Sequence, residues 1–261
     1  MITPKFRTKR NGVPVLSKTE INDIAEDFVK DFQKSVLTNP EPLDIEGFLE
    51  FYLGMTPDFQ YLSHNGIYLG MTVFNDTDKV PVYDPYMERA EYISAKANTV
   101  IIDRKLIEDE RQEHRLRFTE GHEGDHGIFH TQYFHRDSNH LSLLELESAP
   151  VIQCRTDAGR KSRKTNPKNW TDKETMEWQA NAISSALLMS RPAVRKLFKI
   201  EGRTGSRLSQ IAKTINGIVS EFNVSSEAAL YRLCDLGMVE QKEVSIFRPG
   251  SPFLEYPNLF Y

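Results

Sequence analysis

The sequence has few of the features that mark secreted, membrane-spanning or fibrous proteins. Its 261 residues include two cysteines, Cys154 and Cys234, and a pair so far apart in sequence indicates neither a disulfide scaffold nor a zinc ribbon. No stretch approaches the roughly 20 apolar residues of a membrane-spanning helix, and the basic residues 1–10 are not followed by the apolar segment of a secretory signal. We therefore expect a cytoplasmic protein in a reducing compartment.

A strong excess of one charge is also absent. With 33 Lys and Arg against 37 Asp and Glu, the net charge is -4, which gives no general attraction to nucleic acid or to an anionic membrane. Basic residues are also dense in 155–168. We interpret that stretch as a solvated loop. The alternatives are a cleft rim that meets an acidic substrate segment and, less favoured because no aromatics are interleaved with the charges, a nucleic-acid contact.

The most informative segment contains the motif His122-Glu123-x-x-His126. In a helix, His122 and His126 lie one turn apart on the same face, so both imidazoles can bind one zinc ion. Glu123 then lies beside the metal, where its carboxylate can take a proton from water. The motif predicts a zinc-dependent hydrolase, although the same spacing also arises by chance in a solvated helix with two surface histidines.

A catalytic zinc site needs a third protein ligand and one position left open for water. Glu177 is a candidate because it lies near the start of a segment with helical apolar spacing, capped by Thr171 or Asp172. Asn181 follows one turn later, where it can hydrogen-bond the outer nitrogen of a ligand histidine. The alternative is that Glu177 is one of several first-turn acids favoured by the helix dipole.

These two segments together resemble the ImmA/IrrE family of bacterial metallopeptidases. The resemblance extends over residues 20–240. It rests chiefly on Arg117-Phe-Thr-x-x-His-Glu-x-x-His, on Glu177-x-x-Ala-Asn with Leu187-Leu-Met after it, and on the strand-like Thr99-Val-Ile-Ile-Asp upstream. Residues 69–74 also resemble the N-terminal sheet of the family, and residues 222–237 resemble its helical C-terminal part.

The chain departs from the family pattern at several positions. Gly124-Asp125 stands where the family usually has Leu-Gly, so a further acid and a glycine, which costs about 1 kcal/mol relative to alanine in a helix, lie within the zinc-binding segment. Ile183-Ser184 replaces the usual Phe-Ala, and Ser190 replaces a proline. None of these changes removes a ligand or the base, but they bear on substrate range and catalytic rate.

The resemblance implies an α+β fold with a thermolysin-like zincin core, a small mixed or antiparallel sheet, a pair of active-site helices and a helical C-terminal part. It implies one zinc ion per chain held by His122, His126 and Glu177, with Glu123 as general base. It further implies cleavage of a protein substrate inside the cell, typically a transcriptional repressor encoded nearby. The rival hypothesis is a non-catalytic regulator that keeps the zincin shell and binds a repressor or DNA.

Peptide hydrolysis also requires a group besides zinc that stabilises the oxyanion. Tyr133, His135 and His140 are candidates by their nearness in sequence alone. His130 lies one turn after His126, and we interpret it as a packing or supporting residue because three protein ligands already complete a catalytic zinc site.

Four segments are expected along the chain. Residues 1–18 form an N-terminal arm, 19–200 the metallopeptidase domain, 201–240 a helical subdomain resembling a helix-turn-helix, and 241–261 an aromatic tail. Most helical hairpins only pack against their own protein, so DNA binding through 207–238 is the minor interpretation. The tail is expected to dock on its own domain, with partner binding as the alternative.

Residue spacing also predicts the order of helices and strands. The expected elements are a helix from Thr19, a shorter helix at 45–52, strands over 58–103 with 100–102 closing the sheet and Pro81 at an edge or turn, a linker helix at 108–115, an active-site helix at about 119–130, an irregular stretch to about Lys168, and the helix of Glu177.

Overall fold

The computed structural model describes residues 1–134, 170–201 and 206–247 in full, together with the backbone of 151–155. The α+β class predicted from the sequence is confirmed. The described α-helices are α1 Lys18–Phe32, α2 Ile45–Gly47, α3 Lys105–Glu108, α4 Glu113–Phe129, α5 Thr131–Phe134, α6 Asp172–Leu188, α7 Arg191–Glu201, α8 Arg207–Phe222, α9 Ser226–Asp235 and α10 Gln241–Val244. The described strands are β1 Arg7–Thr8, β2 Pro14–Val15, β3 Thr56–Gln60, β4 Tyr68–Val73, β5 Thr77–Asp84, β6 Arg89–Ala95, β7 Thr99–Asp103 and β8 Val151–Arg155.

Contacts divide the chain into two units. The first consists of residues 1–2, 18–44 and 185–261, and the second of residues 3–17 and 45–184. The His-Glu-x-x-His motif and Glu177 both belong to the second unit. No helix in the described part of the chain has the length and apolar character needed to cross a membrane.

The second unit is built around a mixed four-stranded sheet with the order β3-β7-β4-β8. β3 runs parallel to β7, whereas β4 is antiparallel to both β7 and β8. All five residues of β7 are buried, because this run of β-branched and apolar side chains is covered on both faces. The expectation that 100–102 closes the sheet is therefore wrong, since β7 lies between β3 and β4. The expected irregular stretch also contains a strand, β8.

Strand β4 divides its side chains between the two faces of the sheet, as alternation in a strand requires. Met71 and Val73 belong to an apolar cluster that also includes Val80 and Val82 of the β5–β6 hairpin. Gly70 and Thr72 lie on the other face, which α4 covers. The hairpin is a separate two-stranded sheet. Pro81 is accommodated in β5 because a strand of so small a sheet has an unpaired edge.

Helix α4 is longer than the sequence indicated. It begins at Glu113 and ends at Phe129, so the expected linker helix at 108–115 is wrong: its last residues form the first turn of α4. A helix at 105–108 and a 3-10 turn, Glu110–Gln112, precede it. α2 continues into a π-helix, Phe48–Tyr52, within the range expected for the short second helix.

The first unit is helical in its described residues. Its helices bury apolar faces, among them Phe28 of α1 and Ile215 of α8. α8 and α9 form a helical hairpin that turns at Asn223 in the left-handed region, φ 51. Ser225 caps α9 by accepting a hydrogen bond from the amide of Ala228, 3.1 Å away.

Candidate metal centre

His122 and His126 lie on successive turns of α4, and both side chains are fully buried. Their Nε2 atoms face each other at 3.0 Å. Burial, followed by the neighbouring His122 and His130 rings, holds the pKa of His126 well below its ordinary value. The ring of His126 is therefore neutral near pH 7, and the neutral imidazole is the form that binds a metal ion.

Glu177, on the second turn of α6, completes the group. Its Oε2 lies 3.5 Å from His122 Nε2, and its Oε1 lies 3.7 Å from His126 Nε2. Ligands about 2.0–2.1 Å from a tetrahedral zinc ion are about 3.3 Å from one another. The spacing of these three side chains thus suits one small cation.

The carboxylate of Glu177 provides a test of this fit. Both of its oxygen atoms are buried, and neither accepts a hydrogen bond from the described residues. Leaving a carboxylate buried without hydrogen bonds costs several kcal/mol, and a cation between Glu177, His122 and His126 would remove that cost. His122, His126 and Glu177 therefore form a group whose chemistry and spacing suit a metal ion.

Asn181 orients His122 from behind. Its Oδ1 lies 3.2 Å from His122 Nδ1, while its Nδ2 donates to the main-chain oxygen of Glu177 at 2.9 Å. Because the amide nitrogen is already used as a donor, Oδ1 accepts the proton of His122 Nδ1. His122 Nε2 is then left with its lone pair directed towards His126 and Glu177, as a metal ligand requires.

Glu123 is buried between α4 and strand β4. Its Oε2 lies 2.6 Å from the hydroxyl of Thr72. A Cβ atom at Gly70 would lie 2.7 Å from Glu123 Oε1, so only glycine at this position leaves room for the carboxylate. Sequence reasoning missed both Thr72 and Gly70. The alternation of β4 was the available signal, because it places these two residues on the same face.

Gly124 and Asp125, the departures within the motif, are both buried in α4. A Cβ atom at Gly124 would lie 3.0 Å from Leu49 Cδ1, so the glycine permits close packing of the π-helix against α4. Neither oxygen of Asp125 accepts a hydrogen bond from the described residues. Burial raises the pKa of Asp125 well above its ordinary value, although the His122 ring lowers it. The negative charge expected here from the sequence is therefore disfavoured.

The described structure places His130 next to His126. Their Nδ1 atoms are 2.8 Å apart, and His130 Nε2 lies 3.1 Å from Oε1 of Gln179. Burial lowers the pKa of His130 to about 4, so the ring is neutral near pH 7. Gln179 was not a sequence candidate, since a glutamine two residues after a candidate ligand has no distinctive pattern.

Of the three oxyanion candidates, one is described. Tyr133 lies in α5, half-buried, with its ring 5.0 Å from that of Phe134, and none of the contacts described for it involves His122, His126 or Glu177. His135 and His140 lie outside the described residues, as do the basic residues 156–168 and the part of the aromatic tail from 248 onwards.

A comparison with known families matches residues 156–234 to the IrrE N-terminal-like domain, Peptidase_M78. The matched range is less than a third of the chain. It contains Glu177 and Asn181 but begins after α4. The match supports the ImmA/IrrE resemblance through the segment that contains Glu177 and Asn181. This family is one of metallopeptidases, which supports a hydrolase of that class. No curated protein matches the chain.

Proposed function

We propose that this protein is a zinc-dependent endopeptidase with a thermolysin-like zincin core. The observation that carries the proposal is the meeting of His122, His126 and Glu177 around one point, with both Glu177 oxygens buried and without a hydrogen bond from the described residues. Among the described residues the group has three members, whereas a structural zinc site has four protein ligands. A group of three protein ligands is typical of catalytic zinc sites, which keep one position open.

The residues that would hold zinc are His122 and His126 through Nε2, and Glu177 through its carboxylate. When bound, the ion would supply a Lewis acid that makes water a nucleophile near neutral pH and polarises the carbonyl of the scissile bond. Asn181 contributes by fixing the proton of His122 on Nδ1, which keeps Nε2 available.

Glu123 is the proposed general base. It follows the first histidine on α4, and Thr72 holds its Oε2. Oε1 is then the oxygen available to accept a proton as water attacks the peptide carbonyl. The same carboxyl group afterwards returns that proton to the nitrogen of the leaving amine, so one residue serves in turn as base and acid.

The proposed substrate is a protein, and a transcriptional repressor encoded nearby is the first candidate. This choice rests on the ImmA/IrrE resemblance rather than on a contact in the described residues. We propose that cleavage takes place in the cytoplasm, in keeping with the two widely separated cysteines.

The test combines metal analysis with cleavage. We expect one zinc ion per chain in the wild type and in the variant Glu123→Gln, and cleavage of a neighbouring repressor by the wild type alone. Glu113→Gln makes the same change at the start of α4, outside the site, and should leave both properties intact. Protein purified without chelators that carries no zinc would refute the proposal.

The same variants separate catalysis from the rival function. A non-catalytic regulator would retain its biological effect in Glu123→Gln, because that change leaves the three ligands in place. Loss of the effect in Glu123→Gln, with zinc still bound, would favour the endopeptidase.

A further inference from the structure

We propose that His130, Gln179 and the main-chain carbonyl of Pro14 form a hydrogen-bonded chain that orients His126 and fixes the proton on its Nδ1 atom. The inference rests on the proposed metal site. It assigns a positioning role to three groups that do not themselves bind the metal, one of which belongs to the N-terminal arm.

The direction of this chain follows from its fixed end. Gln179 Nε2 lies 2.8 Å from the carbonyl oxygen of Pro14, and an amide nitrogen only donates whereas a carbonyl only accepts. Gln179 Oε1 therefore faces His130 Nε2, 3.1 Å away. Because an amide oxygen only accepts, His130 must carry its proton on Nε2.

The position of the proton on the His126 ring then follows. A neutral imidazole with its proton on Nε2 has an acceptor at Nδ1. His130 Nδ1 lies 2.8 Å from His126 Nδ1, so His126 must donate from Nδ1. Its Nε2 keeps the lone pair and faces Glu177 and His122, which is the arrangement needed for a metal ligand.

Burial makes the opposite direction unfavourable. His126, His130 and Gln179 are almost completely buried, and Pro14 is buried too. Turning the amide of Gln179 round would place its oxygen against the Pro14 carbonyl, and neither oxygen could donate to the other. Each buried polar group left without a partner costs about 1–3 kcal/mol.

His122 and His126 are both left with an unprotonated Nε2 atom. Asn181 fixes the proton of His122 on Nδ1 in the same way, so two Nε2 lone pairs face each other at 3.0 Å with no proton between them. Two facing lone pairs repel. A cation bound between the two Nε2 atoms would remove this repulsion, so the two sets of hydrogen bonds favour metal binding there.

The N-terminal arm is held at the site by contacts of its own. The ring of Phe6 lies 5.3 Å from that of Phe129 at the end of α4. Lys9 donates to Asp172 at the start of α6 at 2.6 Å, and Asn11 donates to the same carboxylate. The β1–β2 hairpin therefore spans the ends of the two helices that carry the ligands, and this sets the position of the Pro14 carbonyl.

Gln179→Met and Gln179→Glu test the role of Gln179. Methionine matches the shape of glutamine but accepts no strong hydrogen bond. Glutamate at this buried position is favoured in its protonated form, which donates to the Pro14 carbonyl and still accepts from His130 Nε2. With zinc affinity measured by competition against a chromophoric chelator, we expect Gln179→Met to bind about 10- to 100-fold more weakly and Gln179→Glu to stay within about threefold of the wild type. Gln210→Met removes a comparable glutamine-to-carbonyl bond, to Phe198, and should leave zinc affinity unchanged.

Two results would overturn the inference: wild-type affinity in Gln179→Met, or equal weakening in both variants. A second measurement needs no variant. In the zinc-loaded protein with ¹⁵N-labelled histidine, NMR should show His130 protonated on Nε2, and protonation on Nδ1 would overturn the chain. Failure of the wild type to bind zinc would instead refute the proposed function.

Discussion

The hydroxyl of Thr72 lies 2.6 Å from Oε2 of Glu123 and 2.9 Å from the main-chain oxygen of the same residue. Thr72 is almost fully buried in the middle of the sheet, so water cannot replace its hydroxyl. A hydrogen bond to a charged group contributes about 1.5–3 kcal/mol. The face of β4 that packs against α4 thus restrains Glu123, the proposed base, from the sheet side.

Replacing Thr72 by valine should lower kcat while zinc remains bound. Valine keeps the shape of threonine but leaves Glu123 Oε2 without this donor. We expect kcat to fall about 10- to 100-fold, the rate equivalent of losing such a bond. Thr72→Ser keeps the hydroxyl and should lose no more than a few-fold in kcat. Equal losses in the two variants would show that the shape of residue 72, and not its hydroxyl alone, controls kcat.

Gly70→Ala should displace Glu123 without removing the metal. The added Cβ would lie 2.7 Å from Glu123 Cγ and Oε1 and 2.7 Å from Thr119 Cγ2. β4 pairs with β7 on one side and β8 on the other, so its backbone cannot retreat. We expect turnover to fall at least about tenfold, as displacements of about 1 Å do, with zinc content unchanged.

A matched glycine provides the control for that variant. Gly217 in α8 has open space where a Cβ would be added, and alanine there should raise the free energy of unfolding by up to about 1 kcal/mol. Its peptidase activity should equal that of the wild type. Normal turnover in Gly70→Ala would mean that Glu123 can shift without consequence.

Removing the metal should lower stability as well as activity. An ion that binds the folded state alone adds about 2.7 kcal/mol to the free energy of unfolding at one hundred times its Kd. We expect a chelator to lower the Tm of the wild type, and zinc to restore it. Glu177→Gln, which weakens the site, should respond much less to either treatment. If zinc and the chelator left the Tm of the wild type unchanged, the result would argue against a bound ion.

The sequence predicted the candidate site better than the fold around it. His122, His126, Glu177 and Asn181 were recognisable because helical spacing alone places each pair on one face. Alternation in β4 places Gly70 and Thr72 on one face, but their importance depends on which helix lies against that face. That information belongs to tertiary packing and is absent from the pattern of the strand.

Elements were misjudged where local signals compete. The apolar run of β7 indicated a strand, but its interior place depends on pairing with β3, which is distant in sequence, on the side away from β4. β8 itself, Val151–Arg155, is too short to show a clear alternation. The sequence predicted too short a helix for α4 because the first turn of α4 is charged and lacks an apolar stripe. The helical pattern begins only where the helix meets the sheet.

Gly124 offers a test of why this chain departs from the leucine usual at this position in the ImmA/IrrE family. An added Cβ would lie 3.0 Å from Leu49 Cδ1 and 3.3 Å from Leu53 Cδ1. Alanine gains about 1 kcal/mol in helix propensity, which this tight contact should offset, so we expect Gly124→Ala to unfold within about 1 kcal/mol of the wild type.

Gly124→Leu should lose about 1–3 kcal/mol, because overpacking of a filled core costs that much. Leu49→Ala vacates the space that the new side chain needs, so the double variant should be more stable than the sum of its two single changes predicts. Urea unfolding of the four proteins measures this coupling. Additive losses would mean that Leu49 does not determine the size of residue 124, and the glycine would then need another explanation.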